Sequence, residues 1–256
     1  MESSKSIIIF GSGRLANSLS QVLIKQNNFT VKAIISTNEN TGRALAQNLN
    51  ASFFKSWDIA LNADYILLCV PDNSLQQIAK QIENFKGLAL HLSGGLSLSE
   101  LNNLANFGVF YPLQTFNGKT EVNWEDIPLL LEANTKENLR KLEELAVVFG
   151  SNILYKDSKQ RAIIHLGAVF ANNFTNYVLH HAFEVLSINE LNPAILRPLI
   201  YKTIDNCFEI GPKQSQTGPA IRNDTKTIAK HLQILEKLPD QKNLYTLLSE
   251  GIGKLK

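Results

Sequence analysis

The stretch Ile7-Ile8-Ile9-Phe10-Gly11-Ser12-Gly13-Arg14-Leu15-Ala16 decides the fold. Its first four residues are apolar and mostly β-branched, the composition of a strand buried on both faces. Gly11-Ser12-Gly13 breaks the run, and helical spacing follows through Leu15, Leu19, Val22 and Leu23. The break fits G-x-G-x-x-A, with Ala16 in the last place. In such a turn the first glycine permits the sharp bend. The second lets a pyrophosphate approach the main chain, and the small third residue lets helix and strand pack closely. The helix N-terminus adds N–H donors and the positive end of its dipole. Isolated, the motif is weak; its place between a strand and a helix gives it weight.

Outward from this turn the chain alternates. Residues 31–35, 53–54 and 65–70 read as strands, the last stopped by Pro71, and 41–49 reads as a helix. Ser74 is placed to cap a helix over 75–82. Residues 87–92 form a further strand, and Ser97 or Ser99 opens another helix. Short extended pieces follow at 109–110, 129–131 and 153–155, with a helix over 135–149 ended by Gly150. Apolar strands alternating with helices predict an α/β fold with a doubly wound, mainly parallel sheet. Beyond about residue 157 the pattern is helical throughout. One long helix is expected over 159–186. A second is expected over 193–210, kinked at Pro198. A third spans 224–238, capped by Asp224, and a fourth 243–249. The expected domains are 1–155, binding a dinucleotide, and an all-α domain over 156–256.

Composition narrows the function. Against 23 Asp+Glu there are 25 Lys+Arg, a surplus too small to draw nucleic acid or an anionic membrane. Hydrophobic residues at 44% and charged residues at 19% exclude disordered and collagen-like classes. No apolar stretch approaches membrane-spanning length, and 7–10 is too short for a signal-peptide core. A soluble, cytoplasmic protein is expected. Cys69 and Cys207 build no disulfide framework, and the histidines show no ligand spacing, so no metal is expected.

The carboxyl ends of the strands hold the candidate site. An NAD site wants Asp or Glu after the second strand, for the ribose hydroxyl. This chain has Ser36-Thr37-Asn38 there, with Arg43 soon after. Neutral donors and a cation suit a 2′-phosphate, so NADP is expected ahead of NAD; otherwise Arg43 is a solvated helix residue. Arg14 joins this group or flanks the pyrophosphate. Val70-Pro71-Asp72 either carries the nicotinamide ribose or merely starts a helix. Ser93-Gly94-Gly95 follows His91-Leu92 on the same edge. It offers N–H groups and a hydroxyl to a substrate, or is a plain turn. Tyr111-Pro112-Leu113-Gln114-Thr115-Phe116 is a further wall of the same crevice.

The long helix is apolar nearly all round, which implies burial on most sides. Arg161, His165, Asn172 and Asn176 share a narrow sector at α-helical spacing, with Asn173 on a flank. A polar stripe on a buried helix needs partners or ligands. Either His165 faces the crevice as proton donor, with the asparagines orienting a substrate, or the stripe is a structural network. Arg222, which capping by Asp224 does not explain, binds an anionic substrate group or makes a salt bridge.

Together the GSGRLA turn at 11–16, VPD at 70–72, HLSGG at 91–95, YPLQTF at 111–116, His165 with Asn173-Phe174, and QTGPAIRND at 216–224 resemble one family. It is a family of NADP-dependent oxidoreductases with a Rossmann-like N-terminal domain and a helical C-terminal domain of the 6-phosphogluconate dehydrogenase type. Wider relatives include pyrroline-5-carboxylate reductases, 3-hydroxyisobutyrate dehydrogenases and deazaflavin-dependent NADP reductases. The resemblance implies hydride transfer between nicotinamide and a small carbonyl, imine or hydroxyl substrate. It implies that Ser93, Gly94 and Gly95 touch that substrate, and that the chain forms a homodimer through its helical domain. His165 stands where the hydroxyacid dehydrogenases carry a catalytic lysine, and Asn173 matches their asparagine. The departure from lysine lends weight to a second reading, a non-catalytic NADP-binding sensor or partner-binding module. A third, a deazaflavin-dependent reductase, needs a second redox cofactor that no residue here specifically addresses.

Overall fold

The computed structural model describes residues 4–56, 62–150 and 152–255. The chain divides into two compact units, Met1–Asn172 and Asn173–Lys256. The first opens with β1 (Lys5–Phe10), α1 (Arg14–Leu23), β2 (Phe29–Ile35), α2 (Glu39–Asn48), β3 (Ser52–Phe54) and β4 (Tyr65–Leu68). It continues through α3 (Leu75–Gln81), β5 (Leu88–His91), β6 (Phe107–Pro112), β7 (Leu129–Ala133), α4 (Lys136–Val147) and β8 (Ile153–Tyr155). The sheet order is β3-β2-β1-β4-β5-β6-β7-β8. Every neighbouring pair is parallel except β6 with β7. Phe10 pairs with both Ile35 and Leu68, and Leu68 with His91, so four strands end at one edge.

The apolar run at the start of the chain serves two cores. Ile7 and Ile9 pack with Ala16 and Leu19 of α1 and with Leu142 and Leu145 of α4. Ile8 and Phe10 pack on the other face with Leu75 and Ile78 of α3. Successive strand residues point to opposite faces, so a strand covered on both sides is apolar at every position. Each such side chain contributes about 1.5–3 kcal/mol by leaving water. This is the doubly wound α/β sheet the sequence predicts.

Several local expectations differ. Ser74 does not cap α3; its hydroxyl bonds Asn73 Oδ1, and a 3₁₀ turn at Asp72–Ser74 leads into the helix. The long helix is α5 (Ser158–Ala168), a π segment (Val169–Phe174) and α6 (Thr175–Ile188). A π turn takes in more residues than an α turn. The α-helical spacing that grouped Asn172 with His165 therefore fails across it. Pro198 kinks nothing. A 3₁₀ turn at Pro193–Leu196 precedes α7 (Arg197–Glu209), and Pro198 sits in its first turn, where the missing N–H costs no bond. Then come α8 (Pro212–Ser215), α9 (Thr225–Ile234) and α10 (Pro239–Gly253). Asp224 caps α9, accepting from the Thr227 amide at 3.0 Å. Pro239 opens α10, which is far longer than the 243–249 expected. Nor is the long helix buried on most sides: Ile163, Leu166 and Phe170 are 63%, 57% and 62% exposed. Its apolar circumference is wider than the surface this chain lays against it. Among the described residues no helix is long and apolar enough to cross a membrane.

Arg161 also departs from the expected stripe. It is 0% exposed and ion-pairs with Glu132 of β7. Its guanidinium donates to the Leu96 carbonyl at 2.6 Å. Glu132 further accepts from the Ser158 hydroxyl at 2.9 Å, and Ser158 accepts from the Leu98 amide at 2.8 Å. Asp157 and Gln160 close a capping box at the same helix start. The network anchors α5 to β7 and to the chain following β5. Removing one partner of a buried pair leaves the other charge uncompensated. Arg161→Met is expected to cost about 3–5 kcal/mol in urea unfolding of the first unit; a loss below about 1 kcal/mol would show that the pair does not anchor it.

Candidate active site

A cavity of about 480 Å³ opens at the carboxyl edge of the sheet. Gly11, Ser12 and Gly13 line it from the first turn, Ser36 and Thr37 from the end of β2, and Val70 and Pro71 from the end of β4. Gly11 has φ +95°, and a Cβ there would lie 2.1 Å from the Cys69 carbonyl oxygen. This glycine is required by the fold itself. Gly13 differs: its φ is −75°, and a Cβ would meet nothing within 4 Å. It is the N-cap of α1, which has no side-chain cap and no acidic residue in its first turn. A helix start left in this way, facing a cavity, suits a phosphate. The Ser12 hydroxyl bonds those of Ser36 at 2.8 Å and Thr41 at 2.7 Å, fixing the turn to α2. Leu15 packs against the core, while Arg14 lies in an adjoining groove of about 570 Å³ beside Asn117, Gly118 and Lys119. Burial pushes the Cys69 thiol up to about 12, so this wall carries no thiolate to repel a phosphate.

The cationic side of the cavity is not as expected. Arg43 does not line it. Its guanidinium bonds Glu39 at 2.7 and 2.9 Å, four residues earlier, and lies 4.9 Å over the Phe53 ring. The Arg43 hydrogen bond and charge hold the Glu39 carboxyl below the usual carboxylate range. The cation on the cavity wall is Lys55, 3.7 Å from the other oxygen of Glu39. Sequence reasoning missed it. The signal was its position just past the third strand, where side chains reach the same edge.

Beyond this cavity a second group gathers, all within the first unit. Ser93 donates to Asp72 Oδ2 at 3.0 Å and accepts from the amides of Gly95 and Leu96, both at 3.2 Å. Asp72 is thus tied to the serine turn rather than to the cavity. The Ser93 amide donates to His91 Nδ1 at 3.3 Å. His91 is 1% exposed, and burial, with the Arg161 charge beside it, pushes its pKa down to about 3. It is neutral and structural. Tyr111 Oη lies 3.1 Å from His165 Nδ1. Gly94 fills the space between: a Cβ there would be 2.5 Å from Tyr111 Cζ and 2.6 Å from His165 Nδ1. Burial raises the Tyr111 phenol, opposed by the Arg161 charge.

The structure therefore brings Asp72, Ser93, Gly94, Gly95 and His165 together and adds Tyr111. Asn172 is exposed in the π segment, and Asn173 and Arg222 belong to the second unit. Arg222 is exposed, with no hydrogen bond or ion pair among the described residues. Arg161 is an anchor and not a ligand of the crevice.

A phosphate-ready turn and a polar cluster on one edge of a doubly wound sheet are the layout of a nucleotide site of the Rossmann class. Known proteins agree. A family described as "NADP oxidoreductase coenzyme F420-dependent" matches residues 6–90, and a domain of unknown function, DUF2520, matches residues 127–252. No curated protein matches the sequence. A "putative NADP oxidoreductase" from Bacteroides fragilis is 33% identical, covers 98% of both chains and has a TM-score of 0.91. A pyrroline-5-carboxylate reductase from Streptococcus pyogenes is 15% identical over 98% of both chains, with a TM-score of 0.62. A reductive aminase from Aspergillus terreus, in complex with NADPH and ethyl-5-oxohexanoate, is 14% identical over 98% of this chain and 96% of its own, at 0.67. The chain belongs to the family of NADP oxidoreductases to which the Bacteroides fragilis protein belongs, with its Rossmann-like first part and DUF2520 second part.

The two glycines of the first turn separate fold from ligand. Gly11→Ala is expected to lower the melting temperature sharply. Gly13→Ala should leave melting unchanged and weaken NADPH binding at least about tenfold, roughly 1.4 kcal/mol. Equal effects of both on melting would contradict the assignment.

Proposed function

We propose that this protein is an NADP-dependent oxidoreductase acting on a small carbonyl, imine or hydroxyl compound. The observation that carries the reading is the cluster of Ser93, Tyr111 and His165 on the same sheet edge as the glycine turn. The residues fit a dinucleotide. Gly13 leaves the approach to α1 open, and the N–H groups of Gly13, Arg14 and Leu15 would face the diphosphate. Ser36, Thr37 and Lys55 would receive a 2′-phosphate, with Arg43 available by exchange from Glu39. Val70 and Pro71 would border the nicotinamide half. Bound NADP supplies or accepts the hydride.

The chain does the rest. Ser93, held by Asp72, orients the substrate heteroatom, and the Gly94 and Gly95 main chain lets it come close. His165 gives or takes the proton there. Two structural neighbours are named as a 1-pyrroline-5-carboxylate reductase and a reductive aminase, which supports a C=N or C=O group as the acceptor. A role for Asn173 rests on the family resemblance, one for Arg222 on its lack of a capping role, and one for Asn172 on an α-helical spacing that the π segment interrupts. The non-catalytic sensor reading is not favoured, because a side chain able to carry a proton stands in the lysine's place. A homodimer through the helical part accounts for the apolar surface of that part, where Leu199 is 65% and Phe208 90% exposed. With both cysteines free, a reducing cytoplasm suits the chain.

Two measurements check this. In a fluorescence titration NADPH should bind tighter than NADH, and Lys55→Ala should cut NADPH affinity about tenfold, roughly 1.4 kcal/mol, while sparing NADH. A clear preference for NADH would overturn the cofactor assignment. In light scattering the wild type should run at twice the chain mass, and Phe208→Glu should shift it toward monomer. A wild-type monomer at high concentration removes the dimer.

A further inference from the structure

We infer that Tyr111 is a positioning residue that pins Nδ1 of His165, leaving Nε2 as the ring nitrogen that exchanges a proton with a carbonyl oxygen or imine nitrogen. This rests on the reading of His165 as the proton-transfer group. It gives Tyr111 a role in the site and names the reacting atom.

The geometry is specific. Tyr111 is the penultimate residue of β6, and His165 lies one helical turn beyond the anchored Arg161 on α5. The two rings stand 78° apart with centroids 6.0 Å from one another, and the phenol oxygen reaches Nδ1 at 3.1 Å. Gly94 leaves no room for either ring to swing toward the turn, since even a methyl group there would collide with both. Nε2 has no hydrogen-bond partner among the described residues. It lies on the Gly95 side, 4.0 Å from where a Cβ of Gly95 would stand. A molecule resting on Ser93-Gly94-Gly95 therefore meets Nε2 and not Nδ1.

The phenol keeps its proton at neutral pH, because burial disfavours the phenolate. Its O–H then donates to Nδ1 of the neutral ring, and the ring's own hydrogen resides on Nε2. In the charged ring both nitrogens carry hydrogen. The hydroxyl then turns, and Nδ1–H donates to the same phenol oxygen. From that state the Nε2–H bond breaks as an O–H or N–H bond forms on the substrate; the electron pair of the broken bond stays on Nε2. The ring is left neutral with its hydrogen on Nδ1, and uptake of a proton from water at Nε2 with loss of the one on Nδ1 restores the resting form. A carboxylate in Tyr111's place would hold Nδ1–H in both states. A phenol serves either one, which suits a group that must cycle.

The test is nitrogen-15 imidazole NMR on protein labelled at histidine, above the histidine titration range. His165 is assigned by subtracting the spectrum of His165→Gln. The wild type is expected to carry its hydrogen on Nε2, and Tyr111→Phe to show a mixture of tautomers. An Nδ1–H form in the wild type, or an unchanged tautomer in Tyr111→Phe, would overturn the inference. The wild-type spectrum decides even if the variant folds poorly. NADPH titration runs beside it. Tyr111→Phe should bind NADPH as the wild type does, and with an accepted carbonyl or imine its kcat should fall about tenfold or more at unchanged KM for NADPH. Failure of the wild type to bind NADPH strikes the proposed function and leaves the tautomer assignment standing.

Discussion

The site depends on a buried charge. Arg161 lies where no water reaches it, held by Glu132 and the Leu96 carbonyl. An isolated guanidinium could not stay there, because the loss of hydration is many times the net worth of an ordinary hydrogen bond. The helix start, the penultimate residue of β7 and the chain after β5 must therefore arrive together. Once they do, the next turn of α5 has little freedom, and His165 comes to the Gly94 turn beside Tyr111. The same cation acts on its neighbours. It helps keep His91 neutral and opposes the rise of the Tyr111 phenol.

The nucleotide side is built on a different principle. No strong charge organises the first turn; three hydroxyls do. Ser12 joins Ser36 and Thr41, so the glycine turn, the end of β2 and the first turn of α2 share one small network. Neutral donors of this kind can turn toward an incoming phosphate without first breaking an ion pair. The charged groups stand outside this network, with Glu39 between Arg43 and Lys55. In the free protein that carboxylate occupies the cations a phosphate would seek. Any preference for the phosphorylated dinucleotide is therefore a net of attraction and exchange.

Much of this was legible in the sequence where the information is local. The run at 7–10, the glycine turn and the apolar strand at 65–68 each carry their meaning in adjacent residues. They give the sheet, its winding and the edge that holds the site. What escaped reading is non-local or costs only one residue. The Tyr111–His165 contact joins residues 54 apart, and nothing in either neighbourhood announces it. Arg161 looked like a member of a polar stripe because helical spacing says which residues share a face, and not what the face meets. The π segment leaves no period to detect, yet it displaces all spacing arguments that cross it. The Glu39–Arg43 pair was readable, being an acid four residues before a base on a helix.

The order of strands has a consequence for how the chain is made. β1 sits between β2 and β4, so one flank stays bare until residues 65–68 have left the ribosome. Parallel pairings of such span close slowly, since a long loop must be brought together before any bond rewards it. During that wait Ile7 to Phe10, one of the most apolar stretches of the molecule, has no second neighbour. This strand therefore waits half-paired on the nascent chain, while the helices after residue 157 can form from contacts near at hand.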